Sequence, residues 1–177
     1  MMDYAIRPAT LDDVAGIANV AHRTWDLTYA RIIASHNRRQ FIERVYTPEG
    51  LQEAIEGDRA WFYVATLDPE IVGYAHFLRR SDSQGELVRI YVLPGHQRQG
   101  IGRAFLSAGA AAMAITSVSL CLASAEANNA SAHAFYRRFG FRHCRDYAQF
   151  LGDQLIKMVE MKVSIGELQE KLGEGSG

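Results

Sequence analysis

The fold is decided by the stretch Val88-Arg89-Ile90-Tyr91-Val92-Leu93-Pro94-Gly95-His96-Gln97-Arg98-Gln99-Gly100-Ile101-Gly102-Arg103. A β-branched strand runs into a polar loop that contains glycines, and the loop opens directly into a helix. Such a loop points successive backbone N–H groups at one place, with the positive helix end behind them, which suits phosphate oxygens. The segment therefore predicts a phosphate-binding loop. The alternative is a strand–turn–helix in which the glycines serve only the turn.

Side chains in this loop also fit a bound phosphate. Gly100 and Gly102 would let the backbone approach an anion closely, where a Cβ would intrude. Arg98 and Arg103 could add charge-assisted hydrogen bonds. Two other phosphate-binding patterns do not fit. The dinucleotide fingerprint requires a glycine where Phe105 stands, and the P-loop requires a Gly-Lys-Ser/Thr that the chain lacks.

The bulk composition is that of an ordinary globular protein. The 177 residues are 48% hydrophobic and 22% charged, with a formal net charge of -1. This balance argues against nucleic acid as a partner, because phosphate binding needs a basic surface. No stretch approaches the roughly 20 apolar residues of a membrane span, and the N-terminus has no apolar leader. We therefore expect a cytoplasmic protein with no membrane partner.

Cysteine and histidine usage predicts neither disulfides nor a metal site. Two cysteines are too few for a disulfide framework, and six scattered histidines show no metal-ligand spacing. Cys121 stands in an apolar run, where a free thiol is usually a small buried hydrophobe.

Periodicity along the chain predicts the order β-α-α-β-β-β-α-β-α-β-β, a mixed α/β sheet. Thr10 is the expected N-cap of the first helix, with Asp13 three residues on. Ser164 begins a short amphipathic helix with capping-box spacing. The expected strands are 4–7, 61–65, 71–78, 86–93, 118–123, 141–147 and 155–163. We expect one domain over residues 1–163, followed by a short helix and a flexible tail over residues 164–177.

A second segment narrows the interpretation. A helix is expected over Ala130–Phe139, ended by Gly140, and Tyr136 stands two helical turns after Asn129. The pattern Gln97-x-x-Gly100-x-Gly102, followed by Asn129-x-x-Ala132-x-x-Phe135-Tyr136-x-x-x-Gly140-Phe141, resembles the two signature motifs of the GNAT superfamily of N-acetyltransferases. The resemblance covers about residues 4–163.

The resemblance implies a mostly antiparallel sheet with a splayed central parallel strand pair, here 86–93 and 118–124, and helices on both faces. The pair would admit the pantetheine arm of acetyl-CoA, a co-substrate. By the same resemblance, Asn129 would hydrogen-bond the cofactor arm. Backbone groups of Ile90, Tyr91 and Val92 would pair with the pantetheine amides. The pyrophosphate would be held by the N–H groups of Arg98, Gln99, Gly100, Ile101, Gly102 and Arg103.

Two residues are implied as catalytic. Tyr136 would protonate the leaving thiolate, since a phenol held close to the sulfur can supply a proton; the alternative is an aromatic core residue. Glu86 resembles the catalytic glutamate that some family members carry at the start of this strand, and the alternative is a solvated charge. Ribosomal-protein acetyltransferases carry a glutamate where Ser124 stands, which weakens that subclass, and Glu126 is out of register.

The acceptor amine is expected between residues 25–57 and the loop before the last strand. Trp25 and Tyr29 could form an aromatic wall for a cationic amine, with Asp26 adding negative charge. Residues 147–153 could close the other side. These stretches loosely resemble bacterial spermine/spermidine acetyltransferases, and the acceptor is expected to be polyamine-like or amino-acid-like. An acyl-CoA-binding regulatory module and a protein N-terminal or lysine acetyltransferase stay open, as does a homodimer through the helix after Ser164.

Overall fold

The computed structural model describes residues 4–174 and contains a seven-stranded sheet. Residues 175–177 of the predicted tail lie outside the described residues. In spatial order the strands are β1 (Ala5–Pro8), β2 (Ala60–Leu67), β3 (Glu70–Arg79), β4 (Gln84–Val92), β5 (Leu120–Glu126), β7 (Gln154–Ser164) and β6 (Arg142–Leu151). Strands β4 and β5 pair in parallel, and the other neighbours pair antiparallel. The predicted mixed, mostly antiparallel sheet is confirmed.

Six α-helices connect the strands: α1 (Val14–Tyr29), α2 (Ser35–Val45), α3 (Pro48–Glu56), α4 (Ile101–Ile115), α5 (Ala130–Arg138) and α6 (Ile165–Gly173). Ser164 caps α6 as expected, whereas Thr10 precedes a short 3₁₀ turn, Leu11–Asp13, that leads into α1. The Thr10 amide donates to Asp13 Oδ2 at 2.8 Å before α1. The Glu167 amide donates to Ser164 Oγ at 3.2 Å at the start of α6.

Helices cover both faces of the sheet. Successive strand side chains point to opposite faces, so Tyr74 and Phe77 of β3 lie on different sides. The Tyr74 hydroxyl donates to the Tyr46 hydroxyl at 2.8 Å, on the side of α1, α2 and α3. Phe77 instead fills the space beside Gly109 of α4, where an added Cβ would lie 2.4 Å from the ring. We call the first side the α1–α3 face.

The parallel pair separates partway along its length. Its register runs from Gln84 opposite Leu120 to Leu87 opposite Ala123. Both strands then continue, β4 to Val92 and β5 to Glu126, without pairing to one another. The predicted splayed central pair is therefore present, and it leaves the edge of β4 that faces β5 unpaired beyond Leu87.

A β-bulge in β4 lies at the point of separation. The register against β3 shifts between His76, which faces Arg89, and Phe77, which faces Leu87, so Val88 is the extra residue. A bulge bends its strand and re-aims the side chains that follow. Leu87 is buried, and the guanidinium carbon of Arg89 lies 5.1 Å from the Tyr46 ring centroid, on the α1–α3 face.

Several elements differ from their expected bounds, and three helices, where the predicted order had two, lie between β1 and β2. Helix α1 runs on through Tyr29, and β6 continues to Leu151 because its pairing with β7 is unbroken up to a two-residue turn. Val118 is not in a strand, because its amide closes the end of α4 by donating to the Met113 carbonyl at 3.1 Å. Cys121 is fully buried, and burial raises the pKa of its thiol to about 12.

Helix α6 packs within its own chain. Its apolar residues Ile165, Leu168 and Leu172 are buried, and the helix contacts α4. The apolar face that suggested a homodimer contact is thus already covered, which corrects that reason for expecting one. Over residues 4–174, no helix is both long enough and apolar enough to cross a bilayer.

Candidate active site

The loop between β4 and α4 is shaped like an anion cradle. Arg98 and Gly100 both have left-handed backbone conformations, with φ of 63° and 90°. The Gln97 side chain donates to the Val92 carbonyl at 2.9 Å and so ties the loop to the end of β4. Helix α4 begins at Ile101, and the first amides of a helix have no acceptor within it. These donors and the left-handed turn fit a bound pyrophosphate.

Two residues of the loop make contacts that were not expected. A Cβ on Gly102 would lie 2.9 Å from Cε2 of Phe135, so this glycine also allows α4 to approach α5. The Arg103 guanidinium donates to the Leu172 carbonyl at the end of α6. A cation at a helix C-terminus is favourable, so this side chain stabilises α6 and is not directed to phosphate.

The unpaired edge of β4 fits the arm of the cofactor. Tyr91 and Val92 pair with Tyr74 and Gly73 of β3 on one edge, and Ile90 pairs with Ala75. Their other edge faces the gap left by β5. Backbone groups that lack a strand partner need another partner or water. Ile90, Tyr91 and Val92 are therefore placed as a pantetheine-binding edge would be.

Asn129 is the N-cap of α5. Its side-chain oxygen accepts from the Ala132 amide at 3.1 Å. The cap uses the oxygen and leaves the side-chain NH₂ as a donor. The same helix carries Tyr136 two turns later, so one cap residue fixes the helix that positions Tyr136.

Tyr136 is only 6% exposed, between Phe135 and Phe141 at ring-centroid distances of 5.6 and 5.3 Å. Burial raises the pKa of its hydroxyl, with further contributions from Tyr29 and Cys121. The hydroxyl therefore stays protonated at any ordinary pH. Tyr136 therefore carries a protonated hydroxyl, as a proton donor would, and also packs among aromatic rings, as a core residue would.

Two further phenols, those of Tyr29 and Tyr91, lie on the α1–α3 face. Their hydroxyl oxygens lie 3.1 Å apart. Burial raises the pKa of both hydroxyls, and that of Tyr29 is further affected by Tyr46, Glu126 and Asn129. Tyr29 thus stands among the side chains that close the gap between β4 and β5.

Two carboxylates border the site and differ in environment. Glu86 stands one residue before the end of the β4–β5 pairing, its side chain is 22% exposed, and it accepts from Arg80. The structure brings it to the head of the splay but not into contact with Tyr136. Glu126 at the end of β5 is 4% exposed, and its two oxygens accept from the Asn128 amide and side chain at 2.7 and 3.1 Å.

The expected aromatic wall is the last part of α1. Trp25 is 6% exposed, stacks on Phe41 at a centroid distance of 4.3 Å and lies 4.6 Å from the Tyr29 ring. It is therefore an inner wall, not a surface one. Asp26 points away from it, exposed and paired with Arg38 at 3.2 Å, so the expected acidic part of the wall is not there.

The turn between β6 and β7 closes the other side, near the predicted 147–153 segment. Asn37 of α2, fully buried, donates to Asp153 Oδ1 at 2.7 Å. The Gln154 side chain donates to the Ile32 carbonyl at 2.9 Å and accepts from the Ala34 amide. These bonds fasten the turn to the start of α2 over the α1–α3 face.

Sequence reasoning missed a set of buried polar groups on the same face. Trp25 Nε1, Arg89 Nη1 and both ring nitrogens of His76 are buried without a hydrogen-bond partner. Burial, with the nearby Arg89 and Arg80 charges, lowers the pKa of His76 to about 3, so this ring is neutral. A groove of about 540 Å³ between α3 and the sheet reaches His76. The sequence feature that could have indicated these groups is a charged or polar residue within an otherwise apolar strand, as at His76 and Arg89.

Comparison with known proteins shows which family and which relatives the chain resembles. A family model described as an acetyltransferase (GNAT) domain matches residues 58–143. An uncharacterised N-acetyltransferase of Mycobacterium tuberculosis is 27% identical over 132 residues, 75% of this chain and 85% of the relative. Spermidine N(1)-acetyltransferase of Thermoplasma acidophilum is 25% identical over 145 residues, 80% of this chain and 89% of the relative.

Solved structures agree in fold. The PaiA N-acetyltransferase of Thermoplasma acidophilum in complex with coenzyme A has a TM-score of 0.78 at 23% identity, over 92% of this chain and 100% of that one. The ribosomal-protein-S18-alanine N-acetyltransferase of Escherichia coli has a TM-score of 0.67 at 21% identity, over 92% and 94%. Residues 58–143 therefore form a GNAT acetyltransferase domain, and the chain is an acetyl-CoA-dependent N-acetyltransferase.

Proposed function

We propose that the acceptor is the primary amine of a small molecule, which attacks the acetyl thioester directly. The observation that carries this proposal is the pair of hydrogen-bonded phenols on the α1–α3 face at the splay, with the β6–β7 turn fastened to α2 over the same face. Aromatic side chains together with a few polar groups are typical of small-molecule sites. The relative named as a spermidine acetyltransferase supports a small amine.

In this proposal the chain binds acetyl-CoA mainly through backbone N–H and C=O groups and less through side chains. Ile90, Tyr91 and Val92 would pair with the pantetheine amides along the free edge of β4. The amides from Arg98 to Arg103 would hold the pyrophosphate, and the side-chain NH₂ of Asn129 would donate to the arm. When bound, acetyl-CoA supplies a thioester carbonyl that an amine can attack.

Tyr136 would donate a proton to the departing sulfur. Its raised pKa keeps the phenol protonated, which is the form that can donate. Its ring is held by Phe135 and Phe141, so the hydroxyl is fixed in position.

Glu86 would accept the amine proton through water. It lies at the head of the splay, and its Oε1 is not used in the ion pair with Arg80. Partial exposure allows water to reach it. Glu126 is less suited, because both of its oxygens already accept from Asn128 and hold the turn before Asn129; we treat it as a positioning residue.

An amine screen tests the proposal. Release of free thiol from acetyl-CoA would be followed with polyamines, amino acids and short peptides, and products would be identified by mass spectrometry. Acetylation of a small amine with kcat/KM well above that of any peptide supports it. Preference for peptide N-termini or lysines would establish the protein-acetyltransferase alternative. Tight acetyl-CoA binding without thiol release to any amine would favour the regulatory module.

A further inference from the structure

Arg89 is a cation on the α1–α3 face that pairs with neither of the carboxylates that border the site. Within residues 4–174 it forms no ion pair, and its Nη1 is buried without a hydrogen-bond partner. Its guanidinium lies over the Tyr46 ring at 5.1 Å. The residue as a whole is partly exposed, but a buried donor without a partner is unfavourable, so this nitrogen is suited to binding an acceptor group of a ligand.

Other buried donors surround the same ring. The Tyr46 hydroxyl accepts from Tyr74 at 2.8 Å, which leaves its own proton available to donate. The Trp25 indole is also near this hydroxyl, and its N–H has no hydrogen-bond partner. Arg89, Tyr46 and Trp25 therefore offer N–H and O–H donors from three different elements.

This group of donors is continuous with the reaction site. The Tyr74 ring lies 5.6 Å from that of Tyr91, whose hydroxyl is 3.1 Å from that of Tyr29. Arg89 and Tyr91 are two residues apart in one strand, about 7 Å along it. A ligand with its amine at the splay can thus place a second polar group near Arg89.

We propose that the acceptor carries a carboxylate, and that Arg89 binds it together with the donors of Tyr46 and Trp25. This rests on the proposed function and specifies its substrate class as amino-acid-like. Guanidinium and carboxylate form paired, charge-assisted hydrogen bonds. A polyamine would instead place a second positive charge near the Arg89 guanidinium. The repulsion between the two charges is unfavourable where little water screens it.

Matched pairs of acceptors test the proposal. Each pair consists of an amine with a carboxylate and the same amine without it: lysine and cadaverine, ornithine and putrescine, 6-aminohexanoate and pentylamine, glycylglycine and its amide. Turnover is followed by thiol release. We expect kcat/KM at least 100-fold higher for the carboxylate member of the best pair, and Arg89→Gln should raise its KM at least 30-fold with a much smaller change in kcat.

Matched variants separate a binding role from a structural one. Arg44→Gln removes an exposed cation from α2 and should change neither KM nor kcat. Arg89→Lys keeps the charge without the fork and should fall between wild type and Arg89→Gln. Melting temperature should stay close to that of wild type in Arg89→Gln, since Arg89 forms no ion pair within residues 4–174 and its buried Nη1 has no hydrogen-bond partner there to lose.

The outcomes are distinct. Better turnover of the amines that lack a carboxylate, or an Arg89→Gln defect equal for both members of each pair, overturns the carboxylate assignment and leaves a small-amine acetyltransferase. No turnover of any small amine, with peptides accepted, overturns the proposed function and this inference with it.

Discussion

Gly102 of α4 and Phe135 of α5 are in direct contact, and a Cβ on the glycine would lie 2.9 Å from the ring. The residue before Tyr136 thus sets the distance between the helix that follows the phosphate loop and the helix that carries the proposed acid. This contact therefore joins the helix whose first amides we propose to bind pyrophosphate to the helix that carries Tyr136.

Replacing Gly102 by valine should weaken acetyl-CoA binding by more than tenfold, because the branched side chain displaces Phe135 and moves the start of α4. Isothermal titration calorimetry with acetyl-CoA measures this. Gly95→Ala is the control, since nothing lies within 4 Å of a Cβ there. Combining Gly102→Ala with Phe135→Leu should restore binding relative to Gly102→Ala alone. If the double variant binds no better, the contact is not what limits the substitution.

Tyr136→Phe should keep acetyl-CoA affinity within about threefold and lower kcat by about 10² to 10⁴, the usual range for general acid assistance. The ring and its packing are retained, and only the donor is lost. Single-turnover measurements with saturating acceptor check the chemical step. Wild-type turnover in a folded variant would make Tyr136 an aromatic core residue only.

Glu86→Gln should slow turnover most near neutral pH, and the defect should shrink as pH rises. Attack requires the neutral amine, and at high pH solvent has already removed the proton that Glu86 would take. Rates from pH 6.5 to 10 test this. Glu126→Gln is the matched carboxylate and should show a defect that does not vary with pH, because it positions the turn before Asn129. A pH-independent defect in Glu86→Gln would indicate positioning there as well.

Stability should fall as the solution becomes mildly acidic, because of His76. Its folded pKa is about 3, below the unfolded value of about 6.5. The unfolded chain therefore binds one more proton between these values, and the stability that this group contributes is lost as pH falls below 6.5. The loss is about 1 kcal/mol between pH 6.5 and 5.5.

Urea unfolding at several pH values measures this loss. His76→Phe keeps the stacking on Phe62, which has a centroid distance of 5.0 Å, and should flatten the pH dependence by about that amount. An unchanged slope would assign the acid sensitivity to other groups.

Local sequence patterns predicted much of this fold. They could not predict contacts between segments that are distant in the sequence. The strand–loop–helix from Val88 to Arg103 and the Asn129 cap were predictable because each depends on neighbouring residues. The role of Gly102 was not, since its partner Phe135 comes from another helix. Arg103 and Leu172 likewise meet only in three dimensions. Arg89 was visible as a charge in an apolar strand, but its lack of an ion pair requires knowing every neighbour.

The bulge at Val88 separates two proposed roles of β4, one for its backbone edge and one for its side chains. Beyond it, the backbone edge toward β5 is unpaired, where we propose that the acetyl donor binds, while the side chains of Arg89 and Tyr91 lie on the α1–α3 face, where we propose that the acceptor binds. A substitution at either side chain alters what is acetylated without touching the peptide groups that would bind the donor. Acceptor preference can therefore diverge by single amino-acid changes in this strand, while the acetyl donor stays the same.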